Sequence, residues 1–451
     1  MLPAMHAPDD TIFALASGRG RAGVAVVRVS GPGAGAALQQ LAGRLPPPRL
    51  AQLARLSDPA DGEAIDQALV LWFPAPASFT GEDVVEFHVH GGPAVVSGLV
   101  LALARLPGLR PAVEGEFTRR AFENGKLDLT GAEALADLVA AETAAQRRQA
   151  LRQLSGTLGT LYGGWRDRLV RTLAHTEAAI DFPDEDLDPR LERAALEAAA
   201  GIAADIARHL ADGGRGERLR EGLDVAILGA PNVGKSSLLN LLAGRDAAIV
   251  AEVAGTTRDV IEVQLDLGGW PLVLADTAGL RASDDVVELE GMRRAAARAE
   301  RADVRLILVD ARTWPEMPPA VAALCGADAL IVANKIDLLA GPLRADASGR
   351  LPLPLSVTSS EGLPALLAAL EQAAAERLDA GQAPVLTRTR HRLALEEALA
   401  ALERACVPGV RAPELRAEDL RQAVRAIGRI LGRVDVEDIL DVVFGEFCIG
   451  K

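Results

Sequence analysis

Gly229-Ala230-Pro231-Asn232-Val233-Gly234-Lys235-Ser236 is the stretch that decides the architecture of this 451-residue chain. Ahead of it, the apolar run Val225-Ala226-Ile227-Leu228 reads as a buried parallel strand, and Ser237-Leu238-Leu239-Asn240-Leu241-Leu242 reads as the helix leaving the loop. A strand, a Gly-rich turn and a helix in that order put an anion at a helix N-terminus, where backbone N–H groups point at it. Lys235 adds a point charge, and the Ser236 hydroxyl can ligate Mg2+. Asn232, Val233, Gly234, Lys235, Ser236 and Ser237 are therefore the phosphate-side candidates. Taken alone such a turn need bind nothing, and it is the motifs further along that remove this alternative.

Gly255-Thr256-Thr257-Arg258-Asp259, Asp276-Thr277-Ala278-Gly279 and Asn334-Lys335-Ile336-Asp337 follow in that order. Asp276 comes after a second apolar strand, Leu272-Val273-Leu274, so its carboxylate can hold a Mg2+ water while the Gly279 backbone approaches a γ-phosphate. Thr257 lies in a loop that can close over the same Mg2+. Beyond two more apolar strands, Leu306-Ile307-Leu308-Val309 and Leu330-Ile331-Val332, Asp337 can accept hydrogen bonds from N1–H and the 2-amino group of guanine. Adenine offers neither donor, and leaving a carboxylate unpaired rejects the wrong base by roughly four to five orders of magnitude. Together the motifs specify a guanine-nucleotide switch with GTP as substrate. Thr277, Ala278, Asn334, Lys335 and Ile336 belong to the same nucleotide site, as do Ala251, Glu252, Val253, Ala254, Gly255 and Thr256 in the loop before Thr257.

Length suggests about three domains at ~150 residues each. Hydrophobic content of 49% is globular, and few aromatics beside abundant Ala and Leu point to Ala/Leu-rich helices. The 48 Lys and Arg residues against 62 Asp and Glu give a net charge of −14, which argues against a chain-wide electrostatic grip on nucleic acid. Any RNA contact is then local or shared with a partner. Cys325, Cys406 and Cys448 are too few and scattered for a disulfide framework or zinc site, which makes a reducing cytoplasm the expectation. No apolar run reaches membrane-spanning length, and Asp9-Asp10 interrupts a signal-peptide reading.

Working outward, the expected fold is multidomain α/β. Residues 1–118 read as an α+β domain, with strand candidates Thr11–Ala14, Val24–Val29, Ala68–Phe73 and Val84–Val89 and a helix from about Pro93 to Leu106. Residues 119–218 read as the first part of a helical domain, in which Thr130-Gly131-Ala132-Glu133 is a capping box. A break at Asp181–Asp186 and a hinge at Gly213-Gly214-Arg215-Gly216 punctuate it. The nucleotide domain spans 219–380 and helices resume over 381–451, so the α/β unit reads as an insertion into one discontinuous helical domain.

Ras-type switches follow Asp-x-x-Gly with a water-orienting Gln; here Leu280 stands there. Unassisted hydrolysis in that class is slow, and a well-placed positive charge is worth roughly 10³ to 10⁵ in rate. Asn232, Thr256 and carbonyls of the intervening loop could surround a weakly hydrated cation. Glu288 reads equally as a water-orienting base and as a solvated carboxylate at a helix start.

With its Asn-containing phosphate loop, Gly-Thr-Thr-Arg-Asp, a nucleotide domain embedded in helices and a terminal Cys448-Ile449-Gly450-Lys451, the chain resembles the MnmE (TrmE) tRNA-modification GTPases essentially end to end. Ser78-Phe79-Thr80-Gly81-Glu82-Asp83, His90-Gly91-Gly92-Pro93, Lys126-Leu127-Asp128-Leu129 and Ala179-Ile180-Asp181-Phe182-Pro183 also carry the resemblance. It implies a homodimer that joins the FAD-dependent MnmG (GidA) protein in a heterotetramer and modifies carbon 5 of the wobble uridine (U34) of certain tRNAs. It implies 5,10-methylene- or 5-formyl-tetrahydrofolate as one-carbon donor and a carboxymethylaminomethyl-type product. Position by position, it implies K+ held by Asn232, Ala251, Val253 and Thr256 between facing nucleotide domains, Mg2+ held by Ser236 and Thr257, and Glu288 as the catalytic glutamate. Ala251 stands where the family has Thr, a change a backbone carbonyl survives, and Ser356-Val357-Thr358 departs from the commoner Ser-Ala at the base. Residues 1–118 would then bind folate and dimerise. Arg28, Glu86, Lys126 and Lys451 match folate contacts, although from the residues alone Arg28 and Glu86 read as ordinary strand positions. Cys448 sits where one-carbon transfer could involve it, while His88 and His90 lack a third ligand and define no metal site. The competing reading is a regulatory GTPase of the ribosome-assembly type; it lacks a downstream KH-type RNA-binding module.

Overall fold

Along β2 (Ala22–Ser30) the residues Ala25, Val27 and Val29 are buried while Val26 and Arg28 are half-buried, the period-2 pattern of a strand with one face on a core. The computed structural model describes residues 10–181, 189–245, 248–249, 262–276, 299–326, 329–379, 381, 383–407, 412–434, 440, 443–445, 447 and 450; the side chains of 189–192, 249, 262, 275 and 276 are outside that description. Two units are present, one within Met1–Ala136, Leu154–Arg168 and Val424–Lys451, the other within Asp137–Gln153 and Leu169–Ala423.

In the first unit β2 joins β1 (Thr11–Leu15), β3 (Gln52–Ser57), β4 (Ala64–Phe73), β5 (Val84–Gly91) and β6 (Leu109–Pro111) in one sheet ordered β3-β4-β5-β2-β1-β6. Neighbours are antiparallel except β1 and β6. Helices Ala34–Ala42 and Pro93–Ala104 contribute Leu38, Leu41, Leu99 and Leu103 to the core with Phe13, Val27, Val29, Val85 and Phe87. The four expected strands are all present; β3 and β6 were not anticipated, because Gln52–Ser57 alternates too weakly and Leu109–Pro111 is too short to give a pattern.

Helix Glu116–Glu123 carries the most unusual core residue, Arg120, 1% exposed. Its Nη2 donates to Asp10 Oδ1 at 2.6 Å and Glu116 Oε1 at 3.1 Å, and its Nη1 reaches Glu82 Oε2 at 3.1 Å. Glu82 also accepts from Ser30 Oγ at 2.7 Å, and Asp10 from Arg110 Nε at 2.6 Å. A guanidinium is tolerated at this depth because three carboxylates meet it, and removing one member of such a cluster costs about 3–5 kcal/mol. The cluster also fixes Glu82, and with it the 78–83 turn.

Helix Leu129–Ala140 begins two residues earlier than the capping box implied. Asp128 does the capping: its Oδ1 accepts from the Gly131 N–H at 2.8 Å and from the Thr130 hydroxyl at 2.7 Å, so the stronger acceptor displaces Thr130 from that role. Leu129 and Ala132 pack with Leu440, Val443, Phe444 and Phe447. Three residues past Phe447, Gly450 has φ +105 and lies so close to the Leu15 carbonyl that a Cβ would collide with it, so glycine permits this close approach to the end of β1.

The second unit holds a sheet ordered β13-β12-β11-β7-β10-β9-β8, from β7 (Leu223–Leu228), β8 (Ala248–Ile249), β9 (Glu262–Leu267), β10 (Trp270–Asp276), β11 (Val304–Asp310), β12 (Leu330–Asn334) and β13 (Leu353–Pro354). β13 through β10 run parallel, and β9 and β8 are antiparallel. Both faces are covered: Val225, Ile227, Leu306 and Leu308 join one core, and Ala226, Leu228, Ile307 and Val309 the other. Burial on both faces explains why these strands read as unbroken apolar runs. The expected hinge is shorter than four residues: Gly213 and Gly214 have positive φ, whereas Arg215 already starts helix Arg215–Glu221. In the same unit helix Pro189–Leu210 runs beside helix Thr389–Ala405, whose Arg392 donates to Glu217 Oε2 at 2.8 Å and Asp212 Oδ1 at 3.1 Å.

Candidate functional site

β7 is the central strand of the parallel sheet, and its carboxyl end lies where the chain passes from one side of the sheet to the other. Open α/β sheets bind ligands at that point. Residues 229–234 form the turn, and helix Lys235–Ala243 leaves it with Gly234 as its N-cap at φ +104. A Cβ on Gly234 would collide with the side-chain amide of Asn334, so the glycine admits a side chain from the far strand β12. Lys235 Nζ donates to the carbonyls of Gly229 at 3.0 Å and Ala230 at 2.9 Å, which holds the ammonium within the loop. Ser236 and Ser237 are exposed in the first helical turn, where the N-terminal end of the helix dipole favours an anion.

Asn334, 3% exposed, connects three motifs. Its Nδ2 donates to the Val233 carbonyl at 2.8 Å, and its Oδ1 accepts from the Val357 N–H at 3.0 Å. Lys335 Nζ donates to the Asn232 carbonyl at 2.8 Å. Asn232 sits at φ +61, a left-handed conformation asparagine tolerates better than most residues. The Ile336 N–H bonds the Leu355 carbonyl, and the short helix Ile336–Leu338 presents Asp337 to solvent. Ser356 is buried and its hydroxyl accepts from the Ser359 N–H at 3.2 Å; Thr358 is exposed. The structure thus brings Asn232, Val233, Gly234, Lys235, Asn334, Lys335 and Val357 into one bonded group.

Asp276 ends β10 in parallel register beside Ile227 of β7, so its backbone lies next to the root of the loop. Ala251, Glu252, Val253, Ala254, Gly255, Thr256, Thr257, Thr277, Ala278, Gly279, Glu288, Cys448 and Lys451 lie outside the described residues. Sequence reasoning missed Asp310, the last residue of β11. Its Oδ2 accepts from Lys335 Nζ at 2.9 Å and from Arg312 Nη2 at 2.7 Å. The Arg312 guanidinium, helped by Lys335 and opposed by burial, holds this carboxyl well below the ordinary carboxylate range. An Asp at the carboxyl end of an apolar parallel strand was the available signal.

A second polar group lies on the first unit's sheet. The pleat that buries Val27 and Val29 turns Arg28 to the other face, where it stands opposite Glu86 in the β2–β5 register. Arg28 donates to Glu86 Oε1 from Nε at 3.0 Å and Nη2 at 2.8 Å, and Glu86 Oε2 lies 3.4 Å from His88 Nε2. The guanidinium stacks 5.2 Å from the Phe79 ring centre and 5.8 Å from that of Phe117. Lys126 is exposed and donates to the Pro76 carbonyl at 2.9 Å, so the loop carrying Phe79 touches both cations. Arg28 pairs across β1 with Ala14, next to the Leu15 on which Gly450 rests, so Gly450 approaches the same strand end. His90 bonds Asp66 at 2.8 Å; among the described residues no His, Cys, Asp and Glu side chains form a metal-binding group.

Fold and loop together define a P-loop protein of the guanine-nucleotide class. A family model described as "MnmE helical domain" matches residues 129–448, and one described as "GTP-binding protein TrmE N-terminus" matches residues 11–126. The chain belongs to the MnmE (TrmE) family of tRNA modification GTPases. It is similar to the tRNA modification GTPase MnmE of Paramagnetospirillum magneticum, 57% identical over 444 residues, covering 98% of this chain and 100% of the relative. The namesake from Rhodospirillum rubrum is 57% identical over 454 residues, covering 98% and 99%. Among solved structures, the G domain of the T. maritima FeoB iron transporter aligns at 22% identity and a TM-score of 0.23, covering 35% of this chain and 99% of that one. No helix of the described residues is long and apolar enough to cross a membrane.

Proposed function

We propose that this chain is the GTP-hydrolysing component of a complex that modifies carbon 5 of wobble uridines in tRNA, working in the cytoplasm as a homodimer with the FAD protein MnmG. The observation that carries the nucleotide half is the convergence of Lys235, Asn334 and Lys335 on the carbonyls of residues 229–233, with Asp337 exposed beside them. That arrangement would leave the loop N–H groups to cradle a phosphate and a carboxylate to pair with guanine. Ser236 and Thr257 would hold Mg2+; Asn232 with the carbonyls of Ala251 and Val253 and with Thr256 would hold K+. The neutral oxygen of the exposed Asn232 side chain suits a weakly hydrated monovalent ion. Bound there, K+ supplies the positive charge that favours phosphoryl transfer, and Glu288 would orient the attacking water.

Residues 1–118 would form the folate-binding and dimerisation domain, 119–218 and 381–451 the helical domain, and 219–380 the GTPase domain. The donor set on the first sheet suits a reduced folate. Glu86 offers carboxylate oxygens to the amino and ring N–H donors of a pterin, Arg28 and Lys126 offer cations to carbonyl and glutamate oxygens, and the half-buried Phe79 ring offers a stacking surface. The tetrahydrofolate would supply a one-carbon unit. Cys448 and Lys451 follow Phe447 closely enough in sequence to join this site. The test is mass spectrometry of wobble uridines in tRNA from cells lacking the gene. Loss of the carboxymethylaminomethyl-type group, restored by the wild-type gene, is expected; an unchanged modification profile would favour a regulatory GTPase instead.

A further inference from the structure

We propose that Asp310 is a positioning residue of the nucleotide site: its carboxylate holds the Lys335 ammonium on the Asn232 carbonyl and so locks the phosphate loop to the guanine-side turn. The inference rests on the nucleotide reading above. Asp310 ends β11 directly opposite Asn334 in the parallel register with β12, and Lys335 follows at φ +66, which folds its side chain back over the strand ends. There the ammonium makes two contacts, 2.9 Å to Asp310 Oδ2 and 2.8 Å to the Asn232 carbonyl. A lysine has a flexible four-carbon stem and three rotatable donors, so one hydrogen bond to a carbonyl orients it poorly. A carboxylate at a fixed strand end supplies the missing direction, and the Asp310 side chain is itself only 12% exposed.

Asp310 is in turn braced. Its Oδ1 accepts from the Arg312 N–H and Nε, both at 3.0 Å, while Oδ2 is shared between Arg312 Nη2 and Lys335. The Thr313 N–H and Trp314 N–H bond the Asp310 carbonyl, so the residue is pinned through backbone and side chain alike. Loss of the carboxylate would free the Lys335 head and, through it, the left-handed Asn232 at the tip of the loop. The alternative is that Asp310 only closes the turn that carries Arg312.

Dissociation of a fluorescent GDP analogue from the full-length protein separates the two. Asp310→Ala is expected to raise the off-rate about tenfold to a hundredfold, the range for losing a hydrogen bond to a charged group. Asp310→Asn, which preserves shape without charge, should fall between, and it serves as the measurement if the alanine variant does not fold. Asp310→Glu should recover part of the retention, and Arg312→Ala should change the off-rate by less than about threefold. Off-rates for Asp310→Ala and Asp310→Asn within about threefold of wild type would overturn the proposal, as would an Arg312→Ala effect as large as that of Asp310→Ala. Wild-type protein that binds no guanine nucleotide would instead sink the underlying nucleotide reading.

Discussion

Replacing Asn334 by Ala tests whether the nucleotide site is a single bonded unit. The substitution removes the donor to the Val233 carbonyl and the acceptor of the Val357 N–H, bonds of 2.8 Å and 3.0 Å made by a residue 3% exposed. Leaving a buried polar group without its partner costs about 1–3 kcal/mol. Val233 is 6% exposed and loses nearly the whole amount, while half-buried Val357 recovers part of it from water. The two together give about 2–4 kcal/mol of local destabilisation. At about 1.4 kcal/mol per factor of ten, that is roughly 30-fold to 700-fold faster amide hydrogen exchange where opening is local. Exchange measured by mass spectrometry on the unliganded full-length protein should therefore accelerate in peptides covering 229–238 and 353–358 and stay unchanged in those covering β2, β4 and β5. Asn334→Asp retains an acceptor for Val357 but places an oxygen against the Val233 carbonyl, so protection should survive at 357 and fail at the loop. Exchange in both peptides of Asn334→Ala within threefold of wild type would refute the reasoning.

Hydrolysis of GTP should be much faster in KCl than in NaCl at equal ionic strength, and equal rates would remove the cation site assigned to Asn232. Asp337→Asn should shift preference from guanine toward xanthine, because an amide presents a donor where guanine also presents one; undiminished guanine selectivity in competition binding would mean that the base lies elsewhere. Arg28→Ala should abolish binding of a reduced folate measured by calorimetry, with Arg28→Lys failing to restore it for lack of the planar face stacked on Phe79 and Phe117; unchanged affinity in Arg28→Ala would count against the site. Burial works against ionisation of Asp10 and Glu116, but the hydrogen bonds and charges of Arg110 and Arg120, with the Val113 N–H at Glu116, together outweigh it and both carboxyls are held below their ordinary values. Their stabilisation is present above the unfolded-state values and lost as pH falls through the folded ones, so thermal stability of the first unit should be level above about pH 5 and decline below it. Glu116→Gln should make that decline shallower, and an acid limb of unaltered steepness would show that the cluster does not set it.

What could be seen in the sequence was what is local in it. The strand, turn and helix from Val225 to Leu242 announce themselves within eighteen consecutive positions, and Asn334 to Asp337 form one short motif, so these nucleotide motifs are legible without geometry. The pair proposed to meet folate was different. Arg28 and Glu86 are fifty-eight positions apart and meet because β2 and β5 adopt one particular antiparallel register, which no count of residues between them encodes. Without the family resemblance they were ordinary strand residues, and Phe79 and Phe117, which flank the guanidinium, were not singled out for that role.

The same reason hid the buried charges. An arginine inside an otherwise polar helix start reads as a solvated side chain, yet Arg120 is buried because carboxylates from positions 10, 82 and 116 converge on it. Asp310 obeys the same rule at the nucleotide site. It is distant from Asn232 in sequence and is joined to it through Lys335 only because β11 and β12 end side by side. Parallel register makes such neighbours systematically: the parallel strands of the sheet all end at the same edge, so the residue just past one apolar run is brought near the residue just past the next. The edge that receives the nucleotide motifs is therefore also where further polar partners collect, and Asp276 ends β10, the strand on the other side of β7, in register with Ile227.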